Sequence, residues 1–376
     1  MKNKKIPFSK PDITLNDLRT VSKVIKSGWL THGPYTKMFE DEFIKFTKSN
    51  YATTVGSCTA GLHLVCLALD IGPGDEVIVP AQTHTATAHA VEYTGARAVF
   101  ADIDYITGNI SLDEIKKKIT SRTKLIIPVH MAGLLCDMDR ILKIAKNKNL
   151  RVLEDCAHAL GTRMKKIHAG NFGIAGSFSF YPTKQITTGE GGMVVCNDKK
   201  FLTKIKKLKQ FGIDTPIHKR KKPGLYDVTD LGYNYRMTDF QAALGHAQIK
   251  RYIKNLKIRL RNAKHYSKLL GNNGDKINFF NFSKNCSYFM FQILLKNSFS
   301  REKVIKFLRK NNIGFGIQYA RPVPLMKFYK EKYKFTKNLF PNSSKYSENV
   351  ISLPVHSGLS LKEITKICSS IKESLG

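Results

Sequence analysis

The sequence predicts an α/β fold: a mixed, mostly parallel sheet sandwiched by helices over residues 1–245, then a smaller α+β domain over 246–376 that begins with a long connecting helix. Strand-like and helix-like segments alternate from residue 51 to about 198. Polar residues gather repeatedly just past the strand ends, where an open α/β sheet builds its site. Beyond about Asn272 the pattern changes to short strands with covering helices. A chain of 376 residues with 42% apolar content is long enough for two domains with a large core.

Taken in order, Asp17 to Lys26 has helical spacing and stops at Ser27-Gly28. Trp29 to Pro34 makes a turn before a second helix, Thr36 to Phe46. Tyr51 to Val55 is a strand that runs into Gly56-Ser57-Cys58-Thr59-Ala60-Gly61 and the apolar helix Leu62 to Leu69. Strand, small-residue turn and helix N-terminus make an anion site, because free N–H groups and the helix dipole face the turn. The hydroxyls of Ser57 and Thr59 would add donors there, and they serve an ordinary helix cap equally well. Strand Glu76 to Val79 leads to Pro80-Ala-Gln-Thr-His84 and a helix, Thr85 to Tyr93; strand Ala98 to Ala101 runs into Asp102 and Asp104. A helix from Leu112 to Lys118, strand Leu125 to Val129, helix Met138 to Lys146 and strand Arg151 to Leu153 follow. The last strand opens into Glu154-Asp155-Cys156-Ala157-His158.

Ile174 to Asp198 (IAGSFSFYPTKQITTGEGGMVVCND) is the stretch with the most specific chemistry. Two strand-like runs flank a turn that carries Lys184, several hydroxyls and the glycines 189, 191 and 192. A desolvated amine loses its proton and becomes a nucleophile suited to an aldehyde cofactor, whereas an exposed lysine here would be one of many. Asp155 would keep the ring nitrogen of a pyridine-type aldehyde protonated, or cap a helix. His158 falls on the same side of the chain if a helical turn starts at Asp155. His84 offers a flat ring for stacking, or only a hydrogen bond.

Lys199 to Phe211 is expected as a helix. Gly212 to Leu231 is irregular and contains the basic run His218 to Lys222, either a solvated cluster or a clamp for a diphosphate at the mouth of a neighbouring site. Thr238 or Asp239 caps a helix predicted to continue to about Leu270. Ile277 to Asn281, Tyr288 to Leu295 and Gly314 to Tyr319 are expected strands, with helices at Glu302 to Asn311 and Leu361 to Ser374.

Composition excludes several classes. The seven cysteines are scattered without a Cys-x-x-Cys pair, which argues for reduced thiols and against a disulfide frame or zinc site. Cys58 and Cys156 stand beside the candidate site residues as small fillers. No apolar run reaches the ~18 residues of a membrane span, and the N-terminus has no apolar signal region, so a cytoplasmic location is expected. The net charge of +33 invites a nucleic-acid-binding regulatory role, but the lysines are spread over the whole length and form no known binding module.

Across nearly the whole chain these segments resemble the pyridoxal-phosphate-dependent sugar aminotransferases of the DegT/StrS type, which have the aspartate-aminotransferase fold. The matching pieces, in order, are Ser27 to Pro34, Gly56-Ser57, Pro80-x-x-Thr83, Phe100-x-Asp-Ile-Asp104, Pro128-Val-His130 and Glu154-Asp155-x-Ala157-His158. They continue with Ser177-Phe-Ser179-Phe, Lys184, Thr188-Gly-Glu-Gly-Gly192, Asn234-Tyr-Arg236-Met and Leu353-Pro-Val-His356. The resemblance implies that Lys184 binds the cofactor aldehyde and shuttles the proton, that Asp155 holds the pyridinium nitrogen, and that His158 sits near the ring's oxygen. Ser57, Cys58 and Ser179 would hold the phosphate, joined by Asn234 from the other subunit of a homodimer. His84 stands where the family usually has a larger stacking aromatic. Thr31, Arg236 and Tyr319 are expected on the substrate side, as are Lys219, Arg220 and Lys221 from their place in the sequence rather than from the resemblance, and no metal is implied. The implied reaction aminates a nucleotide-linked keto-(6-deoxy)sugar with glutamate or glutamine, for surface polysaccharide or glycoside biosynthesis. Dehydratases of the same fold resemble the chain too, but typically carry histidine where Lys184 stands.

Overall fold

The computed structural model describes residues 5–215, 222–271, 274–296 and 300–376. Its strands are Tyr51–Val55 (β1), Glu76–Pro80 (β2), Arg97–Ala101 (β3), Thr123–Ile126 (β4), Arg151–Asp155 (β5), Arg163–Met164 (β6), Ile167–His168 (β7), Ala175–Ser179 (β8), Gly192–Cys196 (β9), Ile277–Asn278 (β10), Phe291–Leu295 (β11) and Val350–Leu353 (β12). The main sheet runs β1-β9-β8-β5-β4-β2-β3, with β6 and β7 forming a separate small hairpin. Every pairing in the main sheet is parallel except those of β9, which is antiparallel to β1 and β8. The chain therefore leaves at one edge after Val55, Pro80, Ala101, Asp155 and Ser179, and re-enters there at Gly192. This is the edge on which the sequence places its polar residues.

Both faces of the sheet are covered, and β2 and β9 are buried along their whole length. Side chains alternate between two cores. Val194 and Cys196 pack with Cys58–Ala68 (α3), while Met193 and Val195 pack with Phe39, Phe43 and Phe180. Helix α3 is apolar nearly all round, and Gly61 lets it lie close on the sheet: a Cβ there would stand 2.3 Å from Ser177 Oγ. The second sheet, β10-β11-β12, is antiparallel and packs with the helices Tyr252–Leu270, Arg301–Lys310 and Leu361–Leu375. The N-terminal segment ties the parts together. Ile6 bridges to Ile313, and Ser9 Oγ donates to Thr183 O at 3.2 Å, next to Lys184.

Several sequence expectations are corrected here. The helix predicted from residue 239 to 270 is two helices, Asp239–Ile249 and Tyr252–Leu270. The break falls where Gln248 turns to Thr187 and Arg251 to Asp17 and the carbonyl of Asp12. Residues 314–319 are not a strand: Gly316 alone bridges to Ser352. The chain then peels away because buried Gln292 and Gln82 take the carbonyls of Gln318 and Tyr319. The third strand of that sheet is β12 instead. Strand β11 begins at Phe291 rather than Tyr288, because Tyr288 has φ 44° and Phe289 donates its N–H to Ala132 O. The helices Lys327–Tyr333 and Pro341–Asn349 had no clear sequence signal.

Candidate active site

Lys184 lies in the turn between β8 and β9, its N–H donating to Tyr181 O at 2.9 Å. The turn closes through Phe180 N to Gly191 O and Thr188 N to Phe180 O, with Gly189 at φ 79°. At Gly192 a Cβ would meet the Ser57 carbonyl carbon at 2.6 Å and Cys58 N at 2.7 Å. Only glycine lets the Lys184 turn and the start of α3 approach this closely. Burial of the amine lowers the pKa of Lys184 to about 8, against the opposing influence of Cys58 and Asp155.

Asp155 ends β5 and is 4% exposed. Its Oδ2 accepts from Thr87 Oγ1 at 2.8 Å and its Oδ1 from Ala157 N at 3.1 Å; no cation pairs with it among the described residues. His158 follows in the turn closed by Ala159 N to Cys156 O. Its carbonyl accepts from Gln185 Nε2 at 2.7 Å and Ser287 Oγ at 3.1 Å, and Tyr319 Oη lies 3.5 Å from its Nε2. Its buried Nδ1 has no hydrogen-bond partner among the described residues. Burial, with Lys184 and His84 nearby, pushes its pKa well below the usual value and keeps the ring neutral.

Ser57 caps α3 by accepting from Ala60 N at 3.1 Å, so the cap is real, while the hydroxyl proton remains free to donate. Cys58 turns its thiol inward, donating to Ser177 O at 3.4 Å, and burial pushes the thiol pKa well up. Ser179 is half-buried at the end of β8. His84 caps the helix Thr85–Glu92 with Nδ1 accepting from Ala86 N, and meets Tyr319 edge-on at 5.9 Å. Lys184, Asp155, His158, Ser57, Cys58, Ser179, His84 and Tyr319 therefore gather at one sheet edge.

Other expected residues do not join them through contacts among the described residues. Asn234 is exposed and bridges to Gln210, Arg236 stacks over Phe211 at 5.0 Å, and Thr31 is exposed beside His32. Lys219, Arg220 and Lys221 lie outside the described residues. Sequence reasoning missed Thr87, Gln185, Ser287 and Phe289. Thr87 was findable, because it lies four residues after Thr83 at the start of a helix and their hydroxyls meet at 2.8 Å. Phe289 gave no local signal, yet its ring centroid lies 4.5 Å from Lys184 Nζ and 4.4 Å from the His158 ring.

A half-buried lysine with a lowered pKa, a buried carboxylate with no cation among the described residues and a helix N-terminus along one α/β edge suit a pyridoxal-phosphate aminotransferase. Residues 11–372 match the DegT/DnrJ/EryC1/StrS aminotransferase family, and the chain belongs to that family. It is 37% identical to the GDP-perosamine synthase of Escherichia coli O157:H7, covering 98% of each chain. It is 34% identical to the UDP-4-amino-4-deoxy-L-arabinose–oxoglutarate aminotransferase of Shewanella sediminis, covering 100% of both. Among solved structures it superposes on a putative sugar aminotransferase from Streptococcus pneumoniae in its pyridoxal-phosphate form with a TM-score of 0.92, at 31% identity and with 99% and 98% of the two chains covered. The fold is thus the aspartate-aminotransferase-like architecture expected, and the cofactor is pyridoxal 5'-phosphate. The residues suit that group: the Lys184 amine lies over the Phe289 ring, and among the described residues Asp155 pairs with no cation and His158 Nδ1 has no hydrogen-bond partner.

Proposed function

We propose that this chain aminates the keto group of a nucleotide-linked 6-deoxy sugar, with Lys184, Asp155 and His158 as the residues that act on cofactor and substrate. The observation that carries the reading is the convergence of those three side chains at one edge of the sheet, where among the described residues no cation pairs with Asp155 and no partner satisfies His158 Nδ1. Bound pyridoxal phosphate supplies an electron sink for the carbon that loses or gains a proton.

The chain's own residues do the rest. Asp155, fixed by Thr87 and Ala157, keeps a proton on the ring nitrogen. His158, with Nδ1 unpartnered among the described residues, would hold the ring's oxygen side. Ser57, Ser179, the N–H of Cys58 and the dipole of α3 hold the phosphate, with the Cys58 thiol turned away. Lys184 would hold the cofactor aldehyde, and its free amine would take the proton from the amino acid's α-carbon and later deliver one to the sugar carbon, a role suited to a pKa of about 8. His84, at the N-terminus of its helix, would be the residue available to cover the ring.

In this reading Asn234 reaches the phosphate of a partner subunit, so the working unit is a homodimer. Exposed Leu225, Tyr226, Val228 and Leu231 near Asn234 support a protein-covered surface there. Thr31, Arg236 and Tyr319 would face the sugar nucleotide, and Lys219, Arg220 and Lys221, which lie outside the described residues, are assigned to it from the sequence alone. The 4-amino sugar named for the Shewanella relative favours a keto group at C4, and the oxoglutarate in the same name favours glutamate as donor. The chain divides at about residue 245, although the helix Lys327–Tyr333 packs back on the main sheet through Tyr329. A cytoplasmic site of action accords with the lack of any helix, among the described residues, long and apolar enough to cross a membrane.

The test separates two half-reactions. Glutamate added to the yellow cofactor-loaded chain should bleach it, and a nucleotide-linked 4-keto-6-deoxy sugar should restore the colour and yield an amino sugar by mass spectrometry. Bleaching without restoration by any nucleotide keto-sugar would overturn the acceptor class.

A further inference from the structure

Phe289 belongs to none of the sequence motifs that carry the site, yet its ring lies against both groups that handle protons. The ring centroid is 4.5 Å from Lys184 Nζ. It is 4.4 Å from the His158 ring, the two planes 18° apart. The contact is built in rather than incidental. Phe289 N donates to Ala132 O at 2.9 Å, and the guanidinium of buried Arg259 donates to the carbonyls of Tyr288 and Phe289 at 3.1 and 3.3 Å. Ser287, two residues earlier, donates to His158 O.

We propose that Phe289 is a positioning residue for amino transfer: its ring face is the partner of the Lys184 nitrogen whenever that nitrogen carries a proton, and its stacking fixes the plane of His158. This rests on Lys184 being the cofactor lysine. A base that alternately takes and gives a proton needs a partner for its charged form that does not hold the proton too firmly. A carboxylate in contact with Lys184 would do so, whereas an aromatic face gives a weaker attraction to an ammonium. The other groups around Lys184 are Asp155 at the end of β5, Cys58 at the start of α3, His158, and His84 at the cap of its helix. Burial keeps both histidines from charging, and Asp155 and Cys58 act through space rather than by a hydrogen bond to the amine. The ring is thus the one described direct contact that favours the ammonium, set against burial, which disfavours it.

The experiment is a spectrophotometric pH titration of the cofactor-loaded full chain, reading the proton on the Lys184 nitrogen. Parent, Phe289→Leu, Phe289→Met and Phe289→Tyr are compared, with melting curves to verify folding. Leucine and methionine keep the site dry but remove the ring face, so proton affinity should fall about fivefold, a typical cation–π contribution. Tyrosine, which keeps the face, should stay within about twofold of the parent. If the leucine variant does not fold, methionine carries the comparison. An unmoved midpoint in both, or a rise, overturns the proposal and leaves the ring as packing. Borohydride trapping of the cofactor on another lysine would instead overturn the assignment of Lys184, so the two failures are distinct.

Discussion

Glu154 precedes Asp155 on β5 and points to the opposite side of the strand, where it is fully buried. Its Oε1 accepts from Phe172 N at 2.7 Å and Gly173 N at 2.8 Å. Its Oε2 accepts from Gly170 N at 2.7 Å and His130 Nε2 at 3.0 Å. His130 Nδ1 accepts in turn from Cys136 N at 3.2 Å. Four donors on two oxygens leave no room for an amide. In Glu154→Gln one end becomes an NH₂ group that faces two donors, whichever way the side chain is flipped. If it faces His130, that ring must change tautomer and then opposes the Cys136 N–H. At least one buried hydrogen bond is lost and one donor stranded, at about 1–3 kcal/mol each, so about 3 kcal/mol is expected. Because Glu154 anchors residues 170–173, the loss should appear there first. Amide exchange at Gly170, or at Phe172 and Gly173, should quicken by about 100-fold, and the melting temperature should fall. Unchanged protection across residues 170–173 together with an unchanged melting temperature would refute the reasoning, and would mean that the network relaxes at no cost.

Asp155→Asn should keep the cofactor bound but lower turnover by on the order of 100-fold or more, measured as kcat for the glutamate half-reaction, because an amide cannot hold the ring nitrogen protonated. Attachment of the cofactor to Lys184 should speed up as pH rises and level off above about 8, since the amine's pKa is lowered to about 8 and only the uncharged form attacks. At pH 7 about a tenth of the amine would then be reactive, against about 0.03% for an ordinary lysine; stopped-flow mixing at several pH values reads this directly. Gly192→Ala places a methyl 2.6–2.8 Å from the backbone of Ser57, Cys58 and Phe178. Cofactor affinity, followed by fluorescence titration, should drop at least tenfold as the turn and α3 are forced apart.

The main sheet was legible because each strand is a short, bounded apolar run alternating with a capped helix. The lysine turn, Asp155 and His158 were legible because each sits in a local motif just past a strand end. What escaped depends on contacts between residues distant in sequence. Phe289 reaches Lys184 from a turn more than a hundred residues later, and its approach is set by Arg259 and Ala132 rather than by its neighbours in sequence. The false strand at 314–319 has the right composition, but two buried glutamines claim its carbonyls. The break between Ile249 and Tyr252 likewise falls where Arg251 reaches the distant Asp12 carbonyl and Asp17 carboxylate as well as Ala247 O of the preceding helix.

Lys184 as the cofactor lysine is tested most directly by where the cofactor is attached. Borohydride reduction of the loaded chain, followed by digestion and mass spectrometry, should place a single pyridoxyl group on the peptide that contains Lys184, with none on the other lysines and none at all in Lys184→Ala. A pyridoxyl group on any other residue, or undiminished labelling of the Lys184→Ala chain, would contradict it.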